Sequence, residues 1–217
     1  MTADTLLIVF GAGGHGRVAA DAALASGRWR EVVAADRDAA LWGRELLPGV
    51  PVLSPAALPG LQGPLALHVA IGDNASRCAE AHAWSALAPL ASIVHPSAAV
   101  ASSATIGAGC LLAAQCVVAP LAQLGTGVIV NHGAIVDHDC RVDAWVHVAP
   151  GARLGGAVQV ASSALLGSGC TVLPGLRVGA GAVLGAGAVA THDVPAGQRW
   201  AGVPAAALPR RSPSTQS

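Results

Sequence analysis

From Val94 onward an aliphatic residue returns at every sixth position. Val94, Val100, Ile106 and Leu112 open a run of sixteen successive Val, Ile or Leu sites that closes at Leu184, with Ala190 in phase. Four residues after each stands a second restricted site, usually small, and Cys110, Cys116, Cys140 and Cys170 all fall there. One large and one small inward residue per hexapeptide is the signature of a hexapeptide β-helix. Each repeat supplies a short strand and a turn. Three repeats close a triangular coil of about eighteen residues, and coils stack at about the 4.8 Å strand spacing. No insertion breaks the phase between Val94 and Ala190, so an active site on this scaffold must lie on the coils themselves.

Hydrophobic residues make up 53% of the 217 and charged residues 11%, which by itself suggests a membrane protein. The 27 glycines and 14 prolines interrupt every apolar run, so no segment is long enough for a bilayer helix. The opening "MTADTLLIVFGAGG" lacks a basic n-region and reads as a buried strand rather than a signal peptide. Net charge is zero and no basic stripe occurs, which argues against nucleic acid as a partner. No CxxC pair is present, so the five cysteines are expected to be reduced in a cytoplasmic protein, the four on the beat as inward-facing fillers.

Residues 1–90 have a different texture. "LLIVFGAGGHG" reads as a strand and glycine turn, "RVAADAALASG" as a helix, "EVVAAD" as a second strand and "LALHVAIGDN" as a third. "ASRCAEAHAWSALA" reads as a second helix. This is βαβ material around a parallel sheet, with room for about half of a six-stranded dinucleotide fold. Gly11, Gly13 and Gly16 satisfy GxGxxG, and Asp36 follows twenty residues after Gly16. Glycines at a helix N-terminus let backbone N–H groups approach the phosphates of any nucleotide. The turn is expected to hold a nucleotide-linked sugar rather than NAD(P), and not to be purely structural.

The polar cluster "IVDHDCRVDAWVHVAPGARLGG", Ile135 to Gly156, interrupts nothing in the inward beat. His138 follows Val136 by two, a position that should point outward, and Gly156 lies one coil of eighteen residues beyond it. A histidine stacked on a glycine leaves room and an approachable backbone N–H, the arrangement a base beside an oxyanion donor needs. His147 is half a coil from His138, so the two can share a site only if another subunit brings them together.

"GAGGHG" on a small α/β domain, "AIGDN" at its third strand, and "VDHDC" with "VHVAPGARLGG" on a β-helix together resemble one family. It is the bacterial sugar acetyltransferases of the hexapeptide-repeat superfamily, which includes sialic acid O-acetyltransferases and nucleotide-amino-sugar N-acetyltransferases. The resemblance implies a Rossmann-like α/β nucleotide-sugar-binding domain over 1–90 and a left-handed parallel β-helix over 91–205. Residues 206–217 are expected to form a disordered tail. The resemblance also implies acetyl-CoA as co-substrate, no required metal, and a homotrimer with active sites between subunits.

Carried over by motif, His138 is the base and Asp139 its orienting acid, with Asn131 as a second candidate to hold the imidazole. Gly156 would offer its N–H to the carbonyl oxygen. His147, Ser168 and Ala186 would contact acetyl-CoA. Gly13, Gly14, His15, Asp36, Arg37 and Gly72 would contact the nucleotide sugar. The pattern departs from the family where His132 follows Asn131 and where the acid after the base is Asp rather than Glu.

The reaction so implied is direct attack of a sugar amine on the thioester, in surface glycan biosynthesis, with a 4-amino-4,6-dideoxy sugar as the type of acceptor. Sugar O-acetylation of the sialic acid type and a non-catalytic nucleotide-sugar-binding trimeric scaffold stay open. A metal site of the γ-class carbonic anhydrase type, from His132, His138 and His147, is disfavoured because their spacing lacks that family's close ligand pair. Trp145 is expected at a subunit contact.

Overall fold

A computed structural model describes residues 4–209. The α/β unit opens with β1 (Leu6–Phe10), whose five residues are all buried, as a strand covered on both faces requires. Then follow α1 (Gly14–Ser26), β2 (Glu31–Ala35), β3 (Glu45–Leu47), β4 (Val50–Leu53), β5 (Leu65–Val69) and α2 (Asn74–Ala83). The sheet order is β3-β4-β2-β1-β5. It is parallel except for the β3–β4 hairpin.

Five strands therefore stand where three were expected. The extra pair comes from "ELLPGVPVL", where Pro51 speaks against a strand because it lacks a ladder donor. Pairing there is short, with a register irregularity between Glu45 and Leu47. The second helix ends at Ala83 rather than running to Ala88.

From Ile93 the chain winds through two-residue strands, each pairing in parallel with the strand eighteen residues later, as in Val118↔Val136 and Val136↔Leu154. Three sheets result, and they form the sides of a left-handed prism. Each aliphatic of the sixfold beat is the second residue of its strand, the turn follows, and the small residue comes after the turn. Cys110, Cys116, Cys140 and Cys170 are fully buried in this column. Burial raises their thiols, those of Cys116 and Cys170 to about 12.

One side of the prism, carrying Ile93, Leu111 and Ile129 on its outer face, is buried against the α/β unit in a core shared with Leu7, Ala19 and Ala23. At the far end Arg199–Ala201 extends this same side and pairs with Ala206–Ala207. Part of the expected tail is thus a strand, and Arg210–Ser217 lie outside the described residues.

Candidate active site

The glycine turn after β1 builds the first half of the site. Gly11 has φ +108°, and a Cβ there would meet the Ala70 carbonyl at 2.8 Å, while one on Gly16 would collide with the Gly11 carbonyl. These two glycines serve packing. Gly13 and Gly14 face open space, and α1 starts between them with no side-chain cap and no acidic residue in its first turn. Gly13, Gly14 and His15 line a cleft of about 360 Å³, and among the described residues their N–H groups have no acceptor.

Gly13, Gly14, His15, Asp36, Arg37 and Gly72, the six residues expected to meet the nucleotide sugar, all line that cleft. Phe10, Ile71 and Glu80 line it as well and were not foreseen. The Asp36 carboxylate accepts from the N–H of Ala12 at 2.6 Å and of Asp38 at 2.9 Å, which fixes the end of β2 against the glycine turn. Arg37 reaches across to Glu80 in a two-pronged ion pair of 2.6 and 3.0 Å. Its guanidinium lies 5.9 Å from the Phe10 ring centre.

At the base of the cleft His15 comes within 6.0 Å of His147, ring centre to ring centre. His147 is held at both nitrogens: Nδ1 donates to the Gly72 carbonyl at 3.3 Å, and Nε2 accepts from the Asn131 amide at 3.2 Å. The Asn131 carbonyl oxygen accepts from the His132 N–H at 2.9 Å, which fixes the amide's orientation. Burial, and then the nearby Arg77 charge, lowers His147 to about 4, so its ring is neutral at pH 7. Burial, followed by His68 and His147, lowers His15 to about 3. Asn131 therefore holds His147, and within the chain it does not touch His138 as one expectation had it.

His138 stands on the prism corner opposite the side that carries the α/β unit. Its Nδ1 donates to Asp139 Oδ2 at 2.7 Å, and its backbone N–H donates to Asp137 Oδ1. The Asp139 hydrogen bond, then the Asp137 charge, raises its pKa above the ordinary value. A Cβ placed on Gly156 would sit 2.5 Å from both His138 Cε1 and Nε2. The imidazole lies directly over a residue with no side chain, as the eighteen-residue spacing required. Among the described residues the Gly156 N–H has no protein acceptor.

Ser168 and Ala186 are exposed one coil apart on another corner, joined by the Gly187 N–H to the Ser168 carbonyl at 2.9 Å. His132 is exposed on that corner too, so His132, His138 and His147 lie on three separate parts of the prism. Among the described residues no three His, Cys, Asp or Glu side chains gather as a metal site. Trp145 packs inside the chain, over Gly127 and 6.4 Å from the His82 ring.

Residues 6–82 match the PglD N-terminal domain family. The acetyltransferase domain of PglB from Neisseria gonorrhoeae FA1090 is 39% identical, with a TM-score of 0.87 over 94% of this chain and 99% of that one. This chain belongs to the hexapeptide-repeat sugar N-acetyltransferases. Another member, PerB from Caulobacter crescentus, was solved with CoA and GDP-perosamine; it is 37% identical with a TM-score of 0.85, covering 95% of this chain and 97% of that one. WeeI from Acinetobacter baumannii AYE is 26% identical, with a TM-score of 0.83, covering 94% of this chain and all of that one. Among curated proteins no match is found. As in the family, the α/β domain precedes the β-helix, and among the described residues no helix is long and apolar enough to cross a membrane.

Proposed function

We propose that the protein transfers the acetyl group of acetyl-CoA to the amino group of a nucleotide-linked amino sugar, of the 4-amino-4,6-dideoxy type, in surface glycan assembly. The observation that carries this reading is His138: one nitrogen is engaged by Asp139 and the other lies over the bare face of Gly156. The Asp139 contact makes Nδ1 the protonated nitrogen and leaves the Nε2 lone pair free to accept a proton. The amine nitrogen attacks the thioester carbonyl carbon and passes its proton to Nε2. The C–S bond breaks, CoA thiolate departs, and the imidazolium returns the proton to it. The Gly156 N–H stabilises the carbonyl oxygen as charge develops there.

The nucleotide part occupies the cleft, with its phosphates at the free N–H groups of Gly13, Gly14 and His15. Acetyl-CoA runs past Ser168 and Ala186, with its thioester near His147. A neutral, doubly engaged His147 suits positioning rather than proton transfer. The cleft opens on one side of the prism and His138 occupies the opposite corner, so one chain cannot bring acceptor and base together. This placement supports a homotrimer in which a neighbouring subunit supplies the base. The reaction belongs in the cytoplasm, with the pools of nucleotide sugar and acetyl-CoA. An amino acceptor is preferred over a hydroxyl because a perosamine N-acetyltransferase from Caulobacter crescentus, 36% identical over 97% of its length, was solved as histidine variants in complex with CoA and GDP-perosamine.

The test is thiol release from acetyl-CoA with UDP-, GDP- and dTDP-linked 4-amino sugars and with free and CMP-linked sialic acid. Release with an amino sugar, reduced about 10²- to 10⁴-fold in His138→Ala with CoA binding kept, is expected. Release only with a sialic acid replaces the reading with O-acetylation. Binding of nucleotide sugar without release from any acceptor leaves the scaffold.

A further inference from the structure

Arg77 is 1% exposed, yet among the described residues no carboxylate lies within ion-pair distance of it, Asp73 acting on it only from farther off. Its Nε donates to the Gly127 carbonyl at 2.9 Å, and Nη1 to those of Ile71 and Gly72 at 2.9 and 3.3 Å. Its Nη2 donates to Asn74 Oδ1 at 2.7 Å and to the Trp145 carbonyl at 3.0 Å. All five guanidinium N–H groups thus find acceptors. Burial lowers the group only to about 10, so it is charged at neutral pH. A buried ion contributes little net stability relative to an apolar residue, and what it supplies is fixed geometry.

The acceptors come from two places that the reaction must align. Gly127 and Trp145 occupy one prism corner in successive coils. Asn74, one helical turn before Arg77, donates to the carbonyls of Ser163 and Ala164, at the same corner in the next coil, both at 3.0 Å. Three residues of α-helix rise about 4.5 Å, close to the roughly 4.8 Å between stacked strands, so one face of α2 can follow successive rungs without strain. Asp73 caps that helix by accepting from the Ser76 N–H at 2.8 Å. On the other side, Ile71 and Gly72 line the nucleotide cleft, and the Gly72 carbonyl that Arg77 holds also accepts from His147 Nδ1.

We propose that Arg77, aided by Asn74, is a positioning residue for acyl transfer: it registers the nucleotide cleft on the β-helix rungs and holds the Gly72 carbonyl that orients His147. The inference rests on the proposed function, in which the cleft holds the acceptor and His147 lies beside the thioester.

Arg77→Lys in the full-length chain tests it. Lysine keeps the charge but offers three donors from one atom and cannot span Gly127, Ile71 and Trp145 together. With the nucleotide-linked amino sugar, kcat is expected to fall about 10- to 100-fold, as misplacement by roughly an ångström costs, while KM for acetyl-CoA stays within about twofold. Side-chain ¹⁵N NMR is expected to show His147 leaving its Nδ1–H form. A lower Tm with kcat and the His147 signal both unchanged would mean that Arg77 only joins two domains, and the proposal falls.

Should Arg77→Lys not fold, Asn74→Ala removes one rung contact and keeps the arginine. It is then expected to lower kcat by about three- to tenfold at unchanged KM for acetyl-CoA, and wild-type kcat overturns the proposal. If the wild-type protein acetylates no nucleotide sugar, the functional reading fails by itself. The histidine NMR needs no substrate and still decides whether Arg77 orients His147.

Discussion

Gly156→Ala separates chemistry from stability more cleanly than removing the base. The new methyl would start 2.5 Å from His138 Cε1 and Nε2, whereas ordinary van der Waals contact begins near 3.4 Å. The ring must therefore withdraw by about 1 Å, and a base misplaced by that much loses on the order of 10²-fold in rate. The cost to the fold should be small. Gly156 is not in the left-handed region, and the only group displaced is an exposed side chain that can rotate into water. The change in stability is expected to stay below about 1 kcal/mol, or roughly 3 °C in Tm.

Gly155→Ala next door is the contrasting control. Its methyl would meet the ring and backbone nitrogen of Pro174, all at 2.8 Å, and cannot be relieved by a rotamer change. It should destabilise by about 1–3 kcal/mol. Thiol release and thermal unfolding, measured together on both variants, check this. Gly156→Ala with wild-type kcat/KM would refute the placement of His138 over the reacting atoms.

Three further outcomes follow from the same geometry. In Asp139→Asn, the charged acceptor whose hydrogen bond does most to raise His138 becomes neutral, so the acidic limb of kcat/KM should move to lower pH while kcat falls about 10- to 100-fold; a pH–rate profile with an unmoved limb counts against the pair. His15, His68 and His147 are lowered by burial to about 3, 4 and 4, so between those values and about 6.5 the unfolded chain binds more protons than the folded one. Stability is then complete above about pH 6.5 and falls on acidification, by up to about 1.4 kcal/mol per pH unit for each histidine. Urea midpoints at pH 7.5, 6.5 and 5.5 measure this, and equal midpoints would contradict it. Of the five cysteines, only Cys78 is not buried, so a thiol reagent should titrate one group in the native protein and five after unfolding.

The prism was legible because its rule is local and repeated. A residue's place in the hexad decides whether it points in or out, and the sixfold beat was enough to bury four cysteines and to stack His138 on Gly156. The cleft was legible for a related reason: in a parallel sheet, the turns after β1, β2 and β5 converge at the strand ends, so Gly13, Asp36 and Gly72 meet once the strands are recognised. The β3–β4 hairpin escaped because its short strands carry Pro51 and little periodicity.

Which outward face the α/β unit would cover depends on contacts between residues far apart in sequence. The signal was present as Ile93, Leu111 and Ile129, apolar at eighteen-residue intervals on an outward position, but it shows only when the coil rather than the hexapeptide is taken as the period. The contact of Asn131 with His147 follows from the coil register, but reading Gly72 as the acceptor of His147, and Arg77 as the link from Gly72 to the rungs, required that docking to be known. By itself the sequence determined the scaffold and the residues of each half-site, since both follow from short-range periodicity. Only the tertiary structure decided how the halves face each other, because that choice is made by the burial of one side of the prism and by a guanidinium whose acceptors lie as many as 69 residues away.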